Sequence, residues 1–176
     1  MEEKTMTYNL PSKLIHWTMA LVILGLLVVG FVMEDLEKPL KFEVYGLHKS
    51  FGVLALILIL IRIPVRIKNP VPALEGTSRS DEIKAKAVHG LLYLGMLLMP
   101  ISGILMSQSA GYPVAFFGLE LPMLVAENEA LNEITHAMHG LGGIILSLLV
   151  LAHIGAALYH HFKLKDETLK RMSLKG

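Results

Sequence analysis

The 176-residue chain contains no cysteine. This absence excludes disulfides, thiolate-bound iron–sulfur clusters and covalent cofactor attachment through a C-x-x-C-H motif. A charge excess of one sign is also missing. Charged residues make up 18% and the formal net charge is +1, so a nucleic-acid partner has no electrostatic footprint here. There is no internal repeat and no low-complexity tract. The start, Met1 to Pro11, is polar and lacks an apolar signal core, so the first apolar run is expected to be retained as a membrane span.

What is abundant is apolar sequence. Hydrophobic residues reach 53% and the mean hydropathy is +0.57. Four apolar segments are expected as helices over about 14–33, 46–65, 87–106 and 135–162. Each has the roughly 20 residues needed to cross a ~30 Å hydrocarbon core. A soluble bundle would need polar outer faces, and Leu21 to Met33 and Phe51 to Ile61 have none. The expected fold class is therefore all-α: one domain over 1–176, an integral membrane four-helix bundle in contact with lipid. Thirteen of the 16 Lys and Arg fall on one side: Lys4, Lys13, Arg62, Arg66, Lys68, Arg79, Lys84, Lys86, Lys163, Lys165, Lys170, Arg171 and Lys175. The other side has Lys38, Lys41 and Lys49. The positive-inside rule then places both termini in the cytoplasm. Pro64, Pro70 and Pro72 are expected to end the second helix. In the third loop, Ala110-Gly111-Tyr112-Pro113 reads as a turn. Its apolar part (Phe116, Phe117, Leu119 to Leu124) is expected to lie on the membrane surface or cap the bundle.

Eight histidines in such a chain are informative, because ionisable residues in spans are costly and face the bundle interior. His139 and His153 are 14 residues apart on the fourth helix. That is nearly four turns, so both point to one face, separated by ~21 Å along the axis. Helix directions supply each with a partner at its own depth: His48 for His139 outside, His16 for His153 inside. Histidines so far apart on one helix cannot share a single ion. Two His–His pairs suit two six-coordinate haems b held non-covalently. Hydrogen-bonding histidines, or separate zinc or copper ligands, are the plainer alternatives for these four. Gly30, Gly52 and Gly103 would let a porphyrin approach the backbone, and ordinary helix packing explains them equally well. Arg62 lies 14 residues after His48, where it would pair with a propionate. His89 is also placed to hydrogen-bond one. His136 and His161 are expected at the surface. His160 shares the face of His153, either beside the inner haem or among headgroups.

Several motifs in this order and spacing resemble the bacterial cytochrome b561 family over essentially the full chain. They are Ile15-His16-Trp17, Gly46-Leu47-His48, Arg62-(x3)-Arg66, His89-Gly90-(x2)-Tyr93, Pro100-(x2)-Gly103, His139-(x13)-His153, Tyr159-His160-His161-Phe162 and Lys165-Asp166-(x)-Thr168-Leu169-(x)-Arg171-Met172. The resemblance implies a di-haem b electron-transfer protein of the bacterial inner membrane that exchanges electrons with ubiquinone. It implies superoxide:ubiquinone oxidoreductase activity, with iron on His16, His48, His139 and His153. It makes His160 a quinone-site candidate, together with Trp17 and Arg171. Superoxide is an anion, and Lys49, with Lys38 and Lys41, would steer it. Two other functions remain open: a haem anchor passing electrons between quinone and a periplasmic redox protein, and a histidine-based metal or ion transporter.

Overall fold

The computed structural model describes residues 7–71 and 78–174. Lys4, Pro72 and Lys175, used in the charge and turn readings above, lie outside the described residues. Four long helices run in order: α1 (Leu10–Val32), α2 (Leu40–Lys68), α3 (Arg79–Ser109) and α4 (Glu129–Tyr159). Each packs on the next, and α4 returns to α1 only sparsely. All four are long and apolar enough to cross a membrane. Leu21, Val28, Leu148 and Leu151 are 74%, 63%, 63% and 65% exposed, while Ile59 is fully buried. Such outward apolar faces have their natural solvent in lipid, where a helix also satisfies its own backbone. The chain is an all-α membrane helical bundle, as expected.

The helices outrun their apolar cores because their ends are capped. Asn9 accepts from the Ser12 backbone N–H at 3.1 Å, and Pro11 sits in the first turn, where no donor is needed. Helix α3 opens at Arg79 rather than Ala87. Ser78 caps it by accepting from Asp81 N–H at 3.1 Å, and the Asp81–Lys84 pair supports its first turn. Asn128 caps α4 by accepting from Leu131 N–H at 2.9 Å. The expectation that Pro64 ends the second helix is overturned: α2 continues through it to Lys68. Proline removes one donor, which costs less than unwinding the whole last turn in an apolar medium. The stop comes at Asn69, whose side chain and backbone both donate to the Val65 carbonyl, at 2.8 and 3.1 Å, just before Pro70.

The two ends of the bundle differ. At one, the chain's two ends meet: Tyr8 N–H donates to the Arg171 carbonyl at 3.2 Å and the Trp17 indole to the Met172 carbonyl at 2.9 Å. At the other, the third loop caps the bundle, as one of the two expectations had it. A hairpin missed from sequence, β1 (Ala115–Phe116) with β2 (Leu119–Glu120), turns through Phe117 (φ +47°) and Gly118 (φ +93°). Its strands are two residues long and carry no alternating pattern to read. Ser50 of α2 donates to Ala115 O at 3.0 Å and accepts from Phe117 N–H at 3.1 Å. Fully buried Gln108 uses both ends of its amide, donating to Pro122 O at 2.9 Å and accepting from Leu124 N–H at 2.8 Å. These clamps fix the loop over the bundle mouth.

Candidate functional site

The bundle geometry brings the histidines together at two depths. At the hairpin end, His48 of α2 and His139 of α4 face each other with ring centroids 6.3 Å apart. At the termini end, His16 of α1 and His153 of α4 have centroids 6.2 Å apart. Two imidazoles that shared one metal, each through a bond of about 2 Å plus roughly 1.1 Å from nitrogen to ring centre, would have centroids up to about 6 Å apart. Both pairs have that spacing. Among the described residues, no three His, Cys, Asp or Glu side chains gather where they could hold one ion.

The hairpin-end pair opens onto a cavity of about 240 Å³ between the four helices, lined among others by Gly30, Gly52, Met99, His136 and Gly143. Two glycines abut the imidazoles themselves. A Cβ on Gly30 would stand 3.4 Å from His48 Cε1, and one on Gly103 would stand 3.0 Å from His139 Cε1. A Cβ on Gly52 would meet nothing within 4 Å, whereas Gly95 lies against Leu146 and Gly142 against Met99. His139 Nδ1 lies 3.1 Å from the Met99 carbonyl and 3.1 Å from Ser102 Oγ. A carbonyl can only accept, so Nδ1 carries the proton and Nε2 keeps its lone pair, the tautomer a metal needs. His48 Nδ1 is buried with no hydrogen-bond partner among the described residues. His136 is exposed, as expected, and also reaches the cavity rim.

At the termini end, His89 joins the cluster, its ring 5.5 Å from that of His153. Arg62 donates to the Tyr93 hydroxyl and to His16 Nδ1, both at 3.1 Å. The third guanidinium nitrogen of Arg62, and Nη1 of Arg66, are buried without partners among the described residues. Two orphaned cationic donors beside three histidines fit an incoming carboxylate, and unmet each costs more than the ~1–3 kcal/mol of a neutral group. Trp17 stacks edge-on to His16 at 5.3 Å. Arg171 is buried in the knot of chain ends, its guanidinium 5.9 Å from the Tyr8 ring, which Arg66 approaches to 5.1 Å from its own side. His160 is held at the turn after α4, with its Nδ1 2.6 Å from Asp166. Half-buried His161 packs on Phe162 at 4.8 Å.

Lys49 reaches up to the capping loop, donating to the Pro113 carbonyl at 3.4 Å, with its ammonium 5.8 Å from the Tyr112 ring. Lys41 donates to Glu34 O at 2.5 Å, and Lys38 lies over Phe42. None of the three is in an ion pair among the described residues. Ser102, the Met99 carbonyl and Asp166 were not assigned roles from sequence. A carbonyl leaves no residue signal, and a serine on an apolar helix reads as packing until its histidine neighbour is known.

Comparison with known proteins agrees with this geometry. The family model described as prokaryotic cytochrome b561 matches residues 7–174. The chain is 33% identical to cytochrome b561 homolog 2 of Escherichia coli (strain K12), over 94% of this chain and 90% of that one. It is 31% identical to cytochrome b562 of Cereibacter sphaeroides, over 90% and 89%. It is 29% identical to a protein of Yersinia pestis named probable superoxide oxidase CybB, over 90% of each. With helices, histidine pairs and sequence in agreement, the chain belongs to the prokaryotic cytochrome b561 family, bacterial membrane electron-transfer proteins that bind haem b.

Proposed function

We propose that this chain holds two haems b, one between His16 and His153 and one between His48 and His139, and carries electrons from superoxide to ubiquinone. The observation that supports it is the repeated pair geometry, 6.2 and 6.3 Å between centroids, at two depths of α4. The bound haems would supply a one-electron relay across the membrane. The chain's residues do the rest. His139 is already set in the ligating tautomer by Met99 and Ser102. His16 is not: a guanidinium can only donate, so its Nδ1 accepts from Arg62 and the proton sits on Nε2. Ligation through Nε2 therefore requires Arg62 to give up this bond. Arg62 then joins Arg66, and His89 as a further donor, in receiving carboxylate groups.

By the distribution of Lys and Arg, the termini end faces the cytoplasm, and the inner membrane is the location that the family resemblance implies. Quinone would meet the protein at His160, with Trp17 and Arg171 as further candidates at the same end. Two superoxide ions, one quinone and two protons give two oxygen molecules and one quinol. Lys49, in no ion pair among the described residues, would draw superoxide towards His48.

One observation favours a second donor, a basic periplasmic redox protein. The hairpin side has eight carboxylates (Glu34, Asp35, Glu37, Glu43, Glu120, Glu127, Glu129, Glu133) against three lysines. Stopped-flow reduction of the oxidised protein by superoxide decides between them. For superoxide, the rate should stand far above spontaneous dismutation. It should fall with salt, since steering is screened beyond about 10 Å at 0.1 M, and it should fall in Lys49→Gln at unchanged haem content. A rate no higher than dismutation would leave the protein donor.

A further inference from the structure

The turn that ends α4 is built around one side-chain pair. After Tyr159 the helix widens into a single π-turn, His160–Leu164, and Lys165 then reverses the chain in the left-handed region (φ +57°). The reversal brings Asp166 back over the turn, with its backbone N–H on the His160 carbonyl at 3.3 Å. Its carboxylate receives two bonds. His160 Nδ1 lies 2.6 Å from Oδ2, and Thr168 N–H donates to Oδ1 at 2.9 Å. Thr168 Oγ1 stands 3.4 Å from the same Nδ1. Burial alone would raise the Asp166 carboxyl, but the bonds from His160 and Thr168 hold it below the usual carboxylate range, so it is ionised at neutral pH.

We infer that Asp166 is a positioning residue: it fixes the His160 ring with its proton on Nδ1 and turns Nε2 outward, so that the ring can deliver protons to a quinone. The inference rests on the reading above that His160 meets quinone. The chemistry follows from the tautomer. With Nδ1–H committed to a carboxylate, neutral His160 has only an acceptor at Nε2 and cannot donate to a quinone oxygen. Once Nε2 is protonated, it can. As an electron arrives from the one-electron relay, the Nε2–H bond breaks and a quinone O–H bond forms. Water at that end returns the proton, and a second electron and proton complete the quinol. His160 and Asp166 are 34% and 31% exposed, enough for exchange with that water. Besides Asp166 on the returning segment, Asp81 at the start of α3 acts on the ring electrostatically, and His161 and Lys163 belong to the same turn. Asp81 is already engaged by Ser78 and Lys84, so Asp166 is the direct partner.

The test is reoxidation of the pre-reduced holoprotein by excess short-chain ubiquinone, followed by stopped flow from pH 5.5 to 9, in Asp166→Asn, Asp166→Glu and His160→Ala. Asp166→Asn should slow the reaction about 100-fold at the alkaline end. The gap should close as pH falls, because protons from the water then reach the quinone without the positioned ring. Asp166→Glu should restore most of the rate, and all three should keep their haem spectra. A wild-type rate and profile in Asp166→Asn with a slow His160→Ala overturns the role of Asp166 alone. Equal slowing of Asp166→Asn at every pH, unrescued by glutamate, makes the contact merely structural and also overturns it. A native rate in His160→Ala removes the quinone reading itself.

Discussion

Replacing His139 by alanine in one variant, and His153 in another, separates the two candidate haem sites. The residues are 14 positions apart on α4, or ~21 Å along its axis. That exceeds the ~7–10 Å beyond which substitutions act independently. Each variant should therefore fall from two haems per chain to one, with the pyridine haemochrome signal halved, and the double variant should bind none. The local damage is small by comparison. Losing His139 leaves the Met99 carbonyl and Ser102 hydroxyl with one partner fewer, about 1 kcal/mol of hydrogen bonding, against a helix held by lipid along its whole outer face. The haem remaining in each variant should give a different low-spin electron paramagnetic resonance signal. The two signals should sum to the wild-type spectrum, because one pair lies beside Arg62 and Arg66 and the other beside Gly30 and Gly103. Retention of both signals in either variant would refute the ligand assignment. Loss of both in either would refute the independence of the sites.

Replacing Arg62 and Arg66 by methionine removes the donors argued to receive carboxylates. At about 1.5–3 kcal/mol for each charge-assisted bond, each single replacement should quicken haem transfer to apomyoglobin roughly 10- to 100-fold for one haem of the two, and unchanged transfer would show that the arginines hold nothing. Gly103→Ala should weaken the hairpin-end haem, since its Cβ meets a ring fixed by Met99 and Ser102 at 3.0 Å. Gly95→Ala should not, since the Leu146 methyl it meets at 3.1 Å can rotate. Haem occupancy in the two variants distinguishes them. The Asp166 carboxyl is held low in the folded protein, so its contribution to docking the tail is complete above the ordinary Asp range near pH ~4 and is lost as pH falls through its lowered value. Trp17 is the sole tryptophan, and its indole bonds to the tail at Met172. Acrylamide quenching of its emission should therefore rise below that pH in the wild type.

Sequence showed the bundle readily because a membrane span is written in consecutive apolar residues, and the solvent leaves few other solutions for the backbone. The pairing of His16 with His153 and His48 with His139 was readable for a related reason. Helical periodicity fixes the face, alternating direction fixes the end, and little freedom remains. What sequence could not show is held in places where one residue's meaning depends on another's three-dimensional position. Pro64 reads as a stop, yet in lipid the surrounding turns hold the helix through it. The hairpin at Ala115–Glu120 is fixed by Ser50 and Gln108, which stand on helices 65 and 14 residues away from their partners Ala115 and Pro122. The seven-residue step from His153 to His160 predicts a shared face, but neither the π-turn that begins at His160 nor the hold of Asp166 on its ring. Position and tautomer are thus separate pieces of information. The sequence placed histidines at both depths. Only the neighbours reveal that His139 is already prepared to bind a metal through Nε2, whereas His16 must first lose Arg62. That asymmetry makes the hairpin-end site the one able to fill without rearrangement. During haem titration of the apoprotein, the signal retained in His153→Ala should accordingly appear before the signal retained in His139→Ala. The reverse order would mean that Arg62 leaves His16 at no cost.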